Sequence, residues 1–172
     1  MTMQIFGGAF VCIATTVMGM HMAKAGARRM TDLTEVKKTL ILLKSQLDFA
    51  IYTLPQAFGH ISERASPPFS SFYAGLASEL QDSAGQDAGV AWANAIERLT
   101  STNLNKDDLA NLSTLSMAIG QMDVQVQINS IEMIIASIDE ALTKLNADNP
   151  KNAKMYRGLG VISGLLITIV LL

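Results

Sequence analysis

Apolar positions in this chain fall into two kinds of pattern. Both ends are continuously apolar. Residues 3–23 and 158–172 contain no Asp, Glu, Lys or Arg. Between them, apolar residues recur at helical spacing. Leu33, Val36, Leu40, Leu43, Leu47 and Ala50 alternate steps of three and four, which predicts one helix over 31–52 with a single buried stripe. Thr31 or Asp32 is placed to cap its start. Pro55 suits the first turn of a short second helix. Ser66-Pro67-Pro68 breaks the chain and opens a third, reaching about residue 82. A Gly-containing loop over 83–89 leads to a fourth helix over 89–100, with Trp92, Ile96 and Leu99 inward. Asn105 caps a fifth, with Asp107 and Asp108 in its first turn, ending near Gly120. Val124, Ile128, Ile131, Ile135, Ile138, Leu142 and Leu145 keep a heptad rhythm along a sixth, the right length for one seam of a bundle. Asn149-Pro150 marks a break or kink after it. Nothing alternates with period two, so no strand is expected.

Charge sharpens this division. Of the 13 Lys and Arg, six flank the apolar ends: Lys24, Arg28 and Arg29 after the first, and Lys151, Lys154 and Arg157 before the second. All 15 Asp and Glu lie within 32–148, with seven Lys and Arg, so the middle carries −8 and the flanks +6. Basic residues are retained at the cytoplasmic side of a membrane. The expected topology is therefore two membrane anchors with the middle held in the cytoplasm. The implied domains are 1–24 and 151–172 as N- and C-terminal transmembrane helices and 25–150 as a helical bundle. The first segment reads as an uncleaved anchor rather than a signal peptide, because residues 1–4 carry no basic side chain. The second is short for a span, with Tyr156 and Arg157 placed at the interface. The flanks suit anionic lipid. The acidic middle excludes nucleic acid as a partner.

Small residues line both ends. Gly8, Cys12, Thr15 and Gly19 share one helical face, and Gly160 and Gly164 form a G-x-x-x-G pair. Such faces let helices approach closely, either each other, or a second copy in a homo-oligomer or another membrane protein docked there.

Candidate chemistry is sparse. Cys12 is the only cysteine, which excludes an internal disulfide and a cysteine metal site. His60, beside Glu63 and Arg64, reads as a structural side chain, and no catalytic fingerprint occurs. No cofactor and no enzyme activity are expected. Glu132, Asp139 and Glu140 punctuate the sixth helix and are either a solvated face or a docking patch. Leu54-Pro55-Gln56-Ala57-Phe58 and Trp92-Ala93-Asn94-Ala95-Ile96 share a large apolar residue, two spacers, Ala and a second apolar residue, each read as opening a short helix.

Along essentially its whole length the chain resembles the stage III sporulation protein AB family of endospore-forming bacteria. The resemblance rests on Gly19 to Arg29; on Ala50-Ile51-Tyr52-Thr53-Leu54-Pro55-Gln56-Ala57, similar to the family's Y-x-x-x-P-L-x-E-A-L pattern with Gln56 in place of Glu; and on the Trp92 element, similar to W-x-x-A-L. Tyr156-Arg157-Gly158-Leu159-Gly160-Val161 is similar to its Y-R-x-L-G-V motif before the last span. The family in turn resembles the helical domain of the type II secretion inner-membrane platform protein. This implies an all-α fold: a six-helix bundle flanked by N- and C-terminal transmembrane helices. It also implies a platform role in the mother cell–forespore transport complex needed for endospore formation. The implied place is the mother-cell membrane, beside a cytoplasmic ATPase and the other membrane components. The alternative is a membrane-anchored regulator or sensor binding a soluble partner outside any channel.

Overall fold

In the computed structural model, backbone is described for residues 2–49, 52–82 and 87–171, and side chains for 24–49, 52–82 and 87–147. The described residues form six α-helices, α1 (Thr2–Asp48), α2 (Leu54–Ser62), α3 (Phe69–Asp82), α4 (Ala88–Arg98), α5 (Lys106–Ser113) and α6 (Val124–Leu171), with a 3-10 turn at Thr114–Met117 and no strand. The chain divides into two units, Met1–Met30 with Thr143–Leu172, and Thr31–Leu142. Among the described residues no helix is long and apolar enough to cross a membrane. The side chains of both apolar ends lie outside that set. So do Gly8, Gly19, Gly160, Gly164, Lys151, Lys154 and Arg157, and with them the packing and charge expectations placed there. Of the expected loop over 83–89, residues 83–86 also lie outside it, and α4 already begins at Ala88.

Two expected boundaries are absent. The capping role of Thr31 or Asp32 falls away because α1 runs through them from Thr2. Residues 24–30 are mostly Ala, Lys, Arg and Met, good helix formers, and the lone Gly26 costs only about 1 kcal/mol. Nor does Pro150 break α6, which is helical to Leu171. One proline removes one amide donor, a loss of about 3 kcal/mol that a long helix absorbs. The fifth helix is shorter than its spacing suggests. Ser113 Oγ and Thr114 Oγ1 donate to the Ala110 and Asn111 carbonyls, each at 2.7 Å. Such local bonds compete with the α-helical ladder, and the chain tightens into the 3-10 turn.

The Thr31–Leu142 unit is built on the α1 stripe. Leu33, Val36, Leu40, Leu43 and Leu47 are all buried, as the spacing predicts. Against this stripe sits an aromatic cluster from α2, α3 and α4. The Phe58 ring stacks 6.0 Å from Tyr73 and 6.1 Å from Trp92, and Phe72 meets Tyr73 and Trp92 edge-on at 5.0 and 5.4 Å. Edge-on and offset pairs are the favourable arrangements for ring quadrupoles. The polar atoms of the cluster are satisfied. Tyr73 Oη donates to Thr39 Oγ1 at 2.9 Å, which donates in turn to the Val36 carbonyl at 2.8 Å. Burial, countered only in part by the Thr39 hydrogen bond, holds the Tyr73 hydroxyl above its ordinary range. Trp92 Nε1 donates to the Leu112 carbonyl at 2.8 Å, tying α4 to α5. The two similar pentapeptides thus meet in space, Phe58 against Trp92. Leu54 does open α2, but Trp92 lies a full turn inside α4.

The starts of α2 and α5 follow their sequence signals. Asn105 Oδ1 accepts from the Asp108 amide while Asp108 Oδ2 accepts from the Asn105 amide, a reciprocal cap on α5. Pro55 sits in the first turn of α2, and Gln56 Oε1 accepts from the Thr53 amide at 3.0 Å. The core face of α6 is Ile128, Ile131, Ile134 and Ile138. The heptad reading holds at Ile128, Ile131 and Ile138 and departs elsewhere: Val124 is 41% exposed, Ile134 replaces Ile135 as the buried residue, and Leu142 and Leu145 are only half-buried. A straight helix drifts about 20° per heptad from a 3.5 repeat, enough to exchange neighbours at the edge of a seam.

Candidate interaction surfaces

The acids singled out on α6 lie beside α1. Asp139 Oδ1 accepts from Lys37 Nζ at 2.6 Å, and Glu132 pairs with Lys44. The hydrogen bond that Lys44 Nζ donates to Glu132 Oε1, with the charges of Glu132 and Asp48, holds Lys44 above the ordinary lysine range against desolvation. Glu132 and Asp139 are therefore engaged within the chain, holding the α1–α6 seam. Exposed Glu140 is next to Asp139 in sequence. Of the basic residues expected to set topology, Lys24 and Arg28 are exposed and Arg29 is half-buried.

Sequence reasoning passed over a second group on α1. Asp32 Oδ2 accepts from the backbone amide and the side-chain amide of Asn103, at 2.6 and 3.0 Å. Glu35 Oε1 accepts from the Ser66 amide at 2.7 Å. Lys38 Nζ lies 3.3 Å from Glu35 and donates to the Arg64 carbonyl at 3.1 Å. Partial burial raises the Glu35 carboxyl, but the Ser66 amide and Lys38 together outweigh it, and the group is held below its ordinary range. One turn and a half of α1 thus fastens the α2–α3 and α4–α5 connections.

The opposite end of the same unit gathers the end of α1 and the starts of α2, α4 and α6. A groove of about 560 Å³ there is lined by Leu54, Pro55, Leu80, Ala88, Met117 and Ile119, among others. Two glycines allow the close packing beneath it. A Cβ on Gly89 would stand 2.1 Å from the Ser116 carbonyl oxygen. Gly120 has φ +86°, a left-handed conformation, and a Cβ there would meet the Ala88 Cβ at 2.9 Å. Phe49 is 69% exposed, Met117 78%, and Met122 fully. The sequence signal for Met122 was its place in a turn, between Gly120 and Asp123, where no helix face can bury it.

His60 is part of a surface contact, its ring 4.4 Å from that of Tyr52 and its Nδ1 3.9 Å from Glu63. Among the described residues no group of three or more His, Cys, Asp or Glu is placed to hold a metal ion.

Comparison with known proteins places this architecture. The stage III sporulation protein AB of Bacillus subtilis (strain 168) is 23% identical over 171 residues, covering 99% of both chains. A solved structure of a stage III sporulation protein AB has the same fold, with a TM-score of 0.66 at 15% identity over 72% of this chain and 97% of that one. The model of the stage III sporulation protein AB family matches residues 4–172. The chain belongs to the stage III sporulation protein AB family.

Proposed function

We propose that this protein is a non-catalytic platform subunit of a sporulation transport complex between mother cell and forespore. Both ends anchor it in the mother-cell membrane, and its bundle positions a cytoplasmic ATPase there. The observation that carries the reading is the pairing of two uncharged apolar ends with six basic residues just inside them, in a member of a sporulation family. An acidic helical unit between two such anchors is held where a soluble partner can reach it. The ordered hydrogen bonds of that unit, and the resemblance of the family to the platform domain of type II secretion, support a scaffold rather than an enzyme. Further membrane components of the complex would pack on the glycine faces of Gly8 and Gly19 or Gly160 and Gly164, as would a second copy.

Two measurements test it. With Cys12 replaced by Ala, Ser78→Cys, at an exposed position of α3, is expected to react with a membrane-impermeant thiol reagent only after the cell is opened. Labelling of intact cells overturns the topology. The full-length protein in nanodiscs of zwitterionic lipid is expected to bind the purified ATPase of the complex at micromolar concentration or tighter. Absence of binding, with the protein folded, leaves the membrane-anchored regulator as the better reading.

A further inference from the structure

Exposed large apolar side chains are not scattered over the Thr31–Leu142 unit. Among the described residues only Ile41 and Met133 stand apart; Phe49, Tyr52, Val90, Met117, Met122, Val124 and Val126 all lie at the end where α1 finishes and α6 begins. The groove lined by Leu54, Ala88 and Met117 opens on the same end. Exposed apolar side chains gathered at one end beside a groove are the kind of surface that marks an interaction site. Methionine, with its flexible thioether, fits irregular partner surfaces.

The charge around it is one-sided. Residues 45–49, 52–58, 79–82, 87–92 and 116–127, which build this end, contain no Lys, Arg or His, and the imidazole beside it, His60 against Tyr52, lies near Glu63. Asp48, Asp82, Asp87 and Asp123 are all exposed there. The nearest lysine along α1, Lys44, is paired with Glu132. This excludes three occupants. An anionic membrane and nucleic acid are both repelled by the aspartates. A second copy meeting end to end would set aspartates against aspartates.

We propose that this end of the bundle docks a segment of a partner protein in which apolar side chains are flanked by Lys or Arg. The apolar residues seat around Met117, Met122 and the groove, and the cations meet the surrounding aspartates. The docking surface is separate from the Asp139–Lys37 pair and borders the Glu132–Lys44 pair at Asp48. The proposal rests on the reading that the bundle holds a soluble partner, and deepens it by naming the surface and the chemistry.

The test uses the full-length protein in zwitterionic nanodiscs, as wild type, Met122→Ser with Asp48→Lys, and Glu140→Lys, all checked for helicity. Each is titrated with the ATPase and with two fluorescent probes, an amphipathic Leu/Lys peptide and its Leu/Glu counterpart, against empty discs. The Met122/Asp48 variant is expected to lose roughly tenfold or more in ATPase affinity, with Glu140→Lys within about twofold of wild type. The Leu/Lys peptide should bind, weaken with salt and with the same variant, and outcompete the Leu/Glu peptide. ATPase binding that is lost only in Glu140→Lys, or that no variant changes, overturns the proposal while the platform reading stands. If the wild type does not bind the ATPase, the platform reading fails and the peptides decide: preference for Leu/Lys, dependent on Met122 and Asp48, sustains the docking surface, and absence of that preference overturns it.

Discussion

The two ends of the Thr31–Leu142 unit are built from opposite materials. At one, Asp32, Glu35 and Lys38 of α1 reach across and hydrogen-bond the backbone of Asn103, Ser66 and Arg64. At the other, Phe49, Met117 and Met122 face solvent among aspartates. Polar side chains at the first end spend their hydrogen-bonding capacity on the protein's own connections. Apolar side chains at the second contribute little to folding while they remain in water. The difference separates where the bundle is fastened from where it is available.

Mutations can break this contrast, and the largest effect should come from beneath the open end. Gly89→Ala drives a Cβ against the Ser116 carbonyl and is expected to destabilise the protein by about 1–3 kcal/mol, read as a lowered Tm. An unchanged Tm would show that α4 and the 3-10 turn are not locked together. At the fastened end, Asp32→Ala removes both Asn103 contacts and should cost about 1 kcal/mol, with faster amide exchange confined to the α4–α5 connection. Protection lost evenly over the unit would deny the local role.

The third effect depends on pH. Glu35 is held below its ordinary value of 4.5, so its contribution is complete above that pH and disappears as the pH falls through the lower, folded-state value. Melting temperatures of Glu35→Gln should therefore fall less steeply than those of wild type on acidification below about pH 4.5. Parallel curves would remove Glu35 from the account. The smallest effect is expected at the open end itself. Met122→Ser should change stability by no more than about 0.5 kcal/mol, because nothing is uncovered that was covered before. A larger loss would mean that Met122 packs into the protein.

How much of this was legible in the sequence depends on the range of the interaction. The α1 stripe, the Asn105 cap and the inward Trp92 were readable because each is fixed by neighbours within a few positions. The fastened end was not, since Asp32 and Asn103 are 71 residues apart and Glu35 and Ser66 are 31 apart. An acid near the middle of a long helix looks like any solvated charge until its partner is placed. The same blindness applied to Glu132 and Asp139, which looked like a candidate patch and turned out to face Lys44 and Lys37. Helix ends were misjudged where propensity overrode punctuation, at residues 24–30 and at Pro150.

Trp92 carries one further consequence, in optical terms. It is the only tryptophan in the chain, fully buried, with its indole hydrogen-bonded to Leu112 and the Tyr73 ring 6.4 Å away. The folded protein should emit at short wavelength, with Tyr73 passing its excitation to the indole, and unfolding should shift the emission to the red and uncouple the two rings. The fluorophore reports the state of four helices at once and sits in the core, shielded from the exposed aspartate-rich surface. A ligand arriving at that surface and a bundle coming apart would leave different colours.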